Sequence, residues 1–284
     1  MMNIDKKALA LANGRPHYAR KRFGQNFLHD ENVIRKIVDS ISAVEGDHLL
    51  EIGPGLGALT KELAKTGATI HCVELDADLA KSLRTEFQEY DSIKIIEGDA
   101  LKFDLSSIAT EKRPLRVIGN LPYNISTPII FHLLKNSELI RDMTFMLQLE
   151  VIQRMISKVG KRNYGRLSLM VQYYCEVEHL FNVPSSAFSP KPKVVSALAR
   201  LKPHNSTSIR AKDSDCLQTV IRTAFNQRRK TLRNSLRTII PEALLDRIAI
   251  NKNLRPQDIT LNEYVEISNA ICNHTAGPED YEAK

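Results

Sequence analysis

The chain has no tryptophan, and its four cysteines (Cys72, Cys175, Cys216 and Cys272) are scattered. None stands in a Cys-x-x-Cys pair, which excludes the standard zinc patterns and argues against a disulfide framework. All four are therefore expected to be reduced and structural. Nor does any run approach the ~18 consecutive apolar residues that a membrane helix needs. The opening stretch, MMNIDKKALALANGRPHYARKRFG, lacks the apolar core of a secretory signal. A cytoplasmic protein is expected.

What is present is ordinary for a soluble globular chain: 43% hydrophobic and 26% charged residues over 284 positions. That length suits two domains, or one large domain with a small appendage. Charge is distributed unevenly. Of the net +7, residues 1–36 hold +5 and residues 210–237 hold +6, which leaves −4 for the rest. Positive charge gathered in two blocks points to a polyanion such as nucleic acid, although charge runs also occur on plain solvated faces.

Hydrophobic spacing predicts a helix over 31–43 behind the N-cap Asp30, a buried strand at HLLEIG (48–53) and a helix at 60–67 closed by Gly67. Further strands are expected at 69–75, 93–100, 115–120 and 143–150, with helices at 78–89 and 124–136. Strands alternating with helices predict a mostly parallel sheet with helices on both faces, here of seven strands. Residues 169–183 and 194–201 read as strands with no long helix between them, compatible with an antiparallel edge. The polar stretch 202–214 marks the boundary. The division read from sequence is 1–205, a helical domain over 210–275, and a loose tail over 276–284. Within the helical domain, 215–240, 241–250 and 260–272 are the expected helices.

The stretch EIGPGLGALT (51–60) sets Gly53, Gly55 and Gly57 between the first strand and its helix. Small residues there permit a tight turn and let backbone approach a ligand at a helix N-terminus. Glu74 ends the next strand, where a carboxylate can accept both hydroxyls of a ribose. Asp99 ends the third, suited to the amino group of an adenine. Read through Ala58, the loop also fits a dinucleotide fingerprint, so it does not by itself separate NAD from other adenosine ligands. Pro54 weighs against pyrophosphate by removing one backbone donor.

The fourth strand ends in VIGNLPYNIST (117–127), presenting Asn120, Pro122 and Tyr123 at the same carboxyl edge. An adenine 6-amino group is a poor nucleophile, its lone pair being delocalised into the ring. An amide oxygen from Asn120 and a backbone carbonyl near Pro122 can accept its two N–H bonds and hold the nitrogen for attack. Pro122 stiffens the turn, and Tyr123 offers a ring on which an extruded base can stack. This set resembles the class I S-adenosylmethionine-dependent methyltransferases, whose [NDS]-x-P-[YF] tetrapeptide marks members acting on exocyclic amines of bases. The resemblance implies a Rossmann-like fold with S-adenosylmethionine as methyl donor. Its sulfonium is already activated, so neither a metal nor a strong general base is expected.

The likeness extends along the chain. KRFGQNFLHD (21–30), NLPYNIST, QLEVIQRM (148–155), YGRLSLMVQYY (164–174), FSPKPKVVSA (188–197) and AFNQRRKTLRNSL (224–236) resemble the ribosomal RNA adenine dimethyltransferases. That family's pattern implies cofactor contacts at Asn26 and Leu28, beside Gly53, Gly55, Glu74, Asp99 and Asn120. It implies Phe188 on the face of the target base opposite Tyr123. The bacterial small-subunit members are the nearest in pattern. They dimethylate two adjacent adenosines in the 3′-terminal hairpin loop of 16S rRNA within the small ribosomal subunit. Arg222, Arg229, Arg233 and Arg237 form a basic stripe beside an apolar one on the expected helix 215–240, the pattern for docking on folded RNA. Arg20, Lys21 and Arg22 are expected to add a phosphate-contacting patch, while Lys191 and Lys193 suit either phosphates or plain solvent. No dimerisation stripe stands out, and a monomer is expected. The alternatives are a large-subunit resistance methylase of the Erm type, a noncatalytic ribosome-assembly factor that retains the fold, and an NAD-dependent dehydrogenase.

Overall fold

All five residues of His48–Ile52 are buried, as an apolar run covered on both faces of a parallel sheet requires. In the computed structural model, which describes residues 9–11, 16–204 and 210–275, this run is the centre of a seven-stranded sheet. Its strands are β1 (His48–Ile52), β2 (Thr69–Glu74), β3 (Ile93–Glu97), β4 (Leu115–Asn120), β5 (Ile140–Gln148), β6 (Cys175–Val183) and β7 (Ser196–Pro203). They lie in the order β3-β2-β1-β4-β5-β7-β6. The pairs from β3 through β5 are parallel, and β7 runs antiparallel to β5. This is the doubly wound sheet expected from the alternating pattern.

The chain winds outward from β1 to β3, then returns to place β4 on the other side of β1. Ligands in such sheets bind outside the strand carboxyl ends at that reversal. Here the reversal brings the loop after β1 beside the turn after β4. Helices α1 (Glu31–Ile41), α2 (Ala58–Ala64), α3 (Ala77–Glu86) and α4 (Ser126–Leu134) serve the sheet. The Asp30 carboxylate caps α1 by accepting from the amides of Asn32 and Val33, and Ile34, Ile37 and Ile41 give the helix its buried face.

Two contacts fix β4. Gly119 passes so close to β1 that an added Cβ would stand 2.6 Å from the Ile52 carbonyl oxygen, so no side chain fits there. Near the other end, the buried Arg116 guanidinium donates to Asp142 at 2.9 Å and to Asp47 at 2.8 Å. A buried cation is tolerable only when paired and hydrogen-bonded in this way.

By its internal contacts the chain divides into one unit of Met1–Ile152 with Glu176–Pro203 and a second of Gln153–Cys175 with His204–Lys284. The expected single boundary between 205 and 210 differs from this by the excursion 153–175. The second unit holds the end of α5 (Leu149–Met155), α6 (Arg166–Tyr174), α7 (Ser214–Asn226), α8 (Leu232–Leu236), α9 (Glu242–Arg247) and α10 (Leu261–Thr275). The expected tail over 276–284 lies outside the described residues.

Two of the expected elements are corrected. Residues 169–174 are helix rather than strand, because Leu167, Met170 and Val171 form a buried helical face before the chain extends at Cys175. The helix expected over 215–240 is two helices, broken between Asn226 and Leu232. Backbone bonds to another segment hold the break: Leu232 N donates to Leu254 O at 2.7 Å, and Arg233 N to Lys252 O at 3.1 Å.

Candidate active site

The loop leaving β1 turns through Gly53 and Gly55, both with positive φ (66° and 61°). Gly55 needs that freedom twice over, since a Cβ there would meet the Phe27 ring at 3.1 Å. Its amide donates to Glu74 Oε2 at 3.1 Å, while the Asp76 amide donates to Glu74 Oε1 at 2.9 Å. Both oxygens of a buried carboxylate are thus aimed by backbone donors. Burial raises the Glu74 pKa, and those same amides oppose the rise.

At the end of β4 the Asn120 side chain donates through Nδ2 to the Asn26 carbonyl at 2.8 Å. That bond leaves Oδ1, an acceptor, on the other arm of the amide. The Pro122 carbonyl closes the turn by accepting from Ile125 N at 3.1 Å. Among the described residues no donor reaches the Leu121 carbonyl. Two acceptors, Asn120 Oδ1 and Leu121 O, therefore stand in consecutive residues, and Pro122 stiffens the turn that follows. The Tyr123 hydroxyl is tied to Ser196 Oγ, which fixes the ring, and burial raises its pKa.

One pocket gathers these groups. Asn26, Leu28, Gly53, Gly55, Glu74, Asp99, Asn120, Pro122 and Tyr123 all line it. Asp99 is steadied by the Leu101 amide, which donates to its Oδ1 at 3.0 Å. Phe188 does not line the pocket, which corrects the position expected for it. Its backbone pairs with Leu28, its ring belongs to the buried core cluster that also holds Ile118, Met146 and Leu198, and it is 1% exposed. A ring so enclosed has no face to offer a base.

Glu51, in contrast, was not expected at the site and lines the same pocket. It is fully enclosed, accepts from Thr60 Oγ1 at 2.7 Å, and burial lifts its pKa to about 7. The signal was present as the one acid within the apolar run HLLEI.

The residues fit an adenosine-bearing methyl donor. Nothing lies within 4 Å of where a Cβ would stand on Gly53 or on Gly98, so the backbone leaves open space beside the Glu74 and Asp99 carboxylates. A carboxylate suits a vicinal diol, and a second suits an exocyclic amine.

The expected RNA-binding arginines divide. Arg222, Arg229 and Arg237 are exposed. Arg233 is held by Glu242 and, at 2.7 Å, by Asp246, so its charge is largely spent within the helical unit. Arg229 sits in the break between α7 and α8, and the regular i, i+4 stripe is lost with it. Arg20 also differs from its expected role. Its guanidinium donates to Asp76 at 2.8 Å and reaches Asp78 as well, so it is not free for phosphate. Arg22 is exposed, and the side chain of Lys21 lies outside the described residues.

Comparison with known proteins gives a consistent result. Residues 16–273 match the family model described as ribosomal RNA adenine dimethylase. A protein of Hahella chejuensis named ribosomal RNA small subunit methyltransferase A is 54% identical over 91% of this chain and 94% of its own length. One of the same name from Marinobacter nauticus is 51% identical over 92% of this chain and 95% of its own. Among solved structures, a dimethyladenosine transferase from Plasmodium falciparum superposes with a TM-score of 0.72 at 25% identity, covering 85% of this chain and 95% of that one. The 23S rRNA methyltransferase ErmE superposes with a TM-score of 0.65 at 25% identity, covering 87% and 100%.

Proposed function

The chain belongs to the ribosomal RNA adenine dimethylase family, and from that premise we propose that its substrate is the small ribosomal subunit. It is an S-adenosylmethionine-dependent methyltransferase of adenine in ribosomal RNA. The finer reading is that it dimethylates two adjacent adenosines in the 3′-terminal hairpin loop of 16S rRNA, acting as a cytoplasmic monomer. The observation that supports it most is the pair of acceptors Asn120 Oδ1 and Leu121 O, in one pocket with Glu74 and the glycine loop.

S-adenosylmethionine, when bound, supplies an activated methyl group on a sulfonium. Asn26, Leu28, Gly53, Gly55, Glu74 and Asp99 would hold it. The chain's own work is to present the nucleophile. In the first transfer Asn120 Oδ1 and the Leu121 carbonyl accept the two hydrogens of the 6-amino group, which fixes the nitrogen and turns its lone pair toward the donor. In the second a single hydrogen remains and one acceptor holds it. Tyr123, anchored through Ser196, stacks on the extruded base, an interaction worth ~1–3 kcal/mol. Phe188 serves as core and has no part in the stacking. Once methylated the nitrogen is cationic and releases a proton to water, so no general base of high basicity is needed.

Arg222, Arg229 and Arg237 on the helical unit contact phosphates, which positions folded RNA without reading its sequence. The test is to incubate the protein and S-adenosylmethionine with unmethylated small and large subunits separately, then count dimethyladenosine by nucleoside mass spectrometry. Product on the small subunit alone, mapping to two neighbouring adenosines of the hairpin, is expected. Product on the large subunit alone would assign the chain to the Erm type, and RNA binding without product would make it an assembly factor.

A further inference from the structure

Within the sheet-bearing unit, Asp76 holds more partners than its local role explains. It caps α3, accepting at Oδ1 from the Asp78 amide at 3.2 Å. A cap needs one oxygen and can sit in solvent, yet this side chain is fully buried. The same Oδ1 also accepts from Arg20 Nη1 at 2.8 Å, and Oδ2 accepts from Gln25 Nε2 at 3.0 Å. Gln25 turns its other end back, its Oε1 accepting from the Arg20 amide at 2.7 Å. His17 Nε2 lies 3.8 Å from Oδ2. Three side chains of one segment thus converge on a single buried carboxylate more than fifty positions away in sequence.

The segment they belong to is a wall of the pocket. Residues 22–28 line it, and Asn26 gives the carbonyl on which Asn120 is hung. On its other side Asp76 is joined to the ribose end of the pocket, because its own amide donates to Glu74 Oε1. Hydrogen bonds thus run from Gly55 through Glu74 and Asp76 to Arg20 and Gln25. The next residue along, Asn26, carries the bond to Asn120.

We propose that Asp76, with Arg20, is a clasp that holds residues 17–28 closed against the cofactor pocket, and so acts as a positioning residue for binding of the methyl donor. It touches neither the donor nor the base. The proposal rests on the methyltransferase reading above. A buried anion that met only the needs of folding could be replaced by an amide at modest cost, since asparagine caps helices as well as aspartate. An amide cannot accept at both ends. Asp76→Asn keeps an oxygen for the cap, loses the bond from Gln25 Nε2 at the other end, and removes the charge that pairs with Arg20, which weakens the clasp while keeping the cap.

The test uses full-length protein with S-adenosylhomocysteine as the probe. Calorimetry on wild type, Asp76→Asn, Arg20→Ala and the double variant gives the affinities, and steady-state rates at varied S-adenosylmethionine give KM and kcat. Each single variant is expected to bind the probe about ten- to a hundredfold more weakly, the size of a lost hydrogen bond to a charged group. KM should rise by the same factor, with kcat at saturating donor much less affected. Because the two residues form one ion pair, the double variant should be no worse than the weaker single variant. Arg20 is partly exposed, its side chain at 35%, so Arg20→Ala keeps the test valid if Asp76→Asn folds poorly. Hydrogen exchange over residues 18–28 of the ligand-free protein should quicken in both. Unchanged probe affinity in folded variants, or losses that add in the double variant, would overturn the clasp. Failure of the wild type to bind the probe would overturn the reading of the pocket and the clasp with it.

Discussion

Asn120 reaches Asn26 at 2.8 Å through its amide nitrogen, and that single bond decides which way the amide faces. With the nitrogen committed to a carbonyl of the facing segment, the oxygen is the atom left for a substrate. A free amide would present donor or acceptor equally well, and an amine needs the acceptor. The strand that ends at Asn120 therefore leaves an amide oxygen as acceptor, the group that the proposed adenine 6-amino substrate needs, with the Leu121 carbonyl in the next residue.

Gly119 stands one residue before that amide, and its hydrogen faces the Ile52 carbonyl. Gly119→Ala would place a methyl 2.6 Å from that oxygen, forcing apart the two strands whose loops build the pocket. Overpacking of this kind costs about 1–3 kcal/mol. A lower Tm together with weaker S-adenosylhomocysteine binding is expected, since Ile52 leads directly into the glycine loop. Thermal unfolding with and without the ligand measures both.

Glu51 predicts a pH dependence with a definite sign. Its folded pKa is about 7, against an ordinary value of 4.5, so the folded protein holds a proton that the unfolded chain has released. The stability this proton confers is complete below about pH 4.5 and is lost as pH rises through about 7. Glu51→Gln keeps the shape of the protonated acid and cannot ionise. Relative to wild type, its stability should improve from pH 5 to about pH 7 and then level off, measured as the difference between two denaturation series in matched buffers. A constant difference across that range would show that Glu51 does not titrate there.

The helical unit's arginines should separate by salt dependence. Arg222→Ala and Arg229→Ala each remove an exposed cation, and each phosphate left without its cation should flatten the slope of log K against log salt by about 0.7–0.9. Arg233→Ala should act differently, since its partners Glu242 and Asp246 belong to the same unit. It is expected to lower stability slightly and to leave the slope nearly unchanged. Binding of ribosomal RNA at several salt concentrations distinguishes the two behaviours.

Much of the sheet was legible because its strands are short apolar runs spaced by helical patterns, and a run buried on both faces leaves little choice of structure. The pocket was legible for a related reason. Gly53, Gly55, Glu74, Asp99 and Asn120 all sit at or just past strand ends, and a doubly wound sheet brings such ends to one edge. Other features depended on distant partners. Phe188 precedes a proline-rich turn and suits either a core or a surface, and only its pairing with Leu28 places it in the core. The break after Asn226 falls in QRRK, a run of good helix formers, and is fixed by the segment around Leu254. Arg20 read as a free cation because its partner Asp76 lies 56 positions away.

The orientation of Asn120 is best tested by single-turnover methyl transfer to unmethylated small ribosomal subunits, with subunit binding measured in parallel for wild type and Asn120→Ala. Loss of one preorganised group that acts on the reacting centre lowers such rates by about 10²–10³. A fall of that size, with binding of the subunit unchanged, is the predicted result. Methylation by Asn120→Ala at the wild-type rate would contradict the role assigned to its amide oxygen.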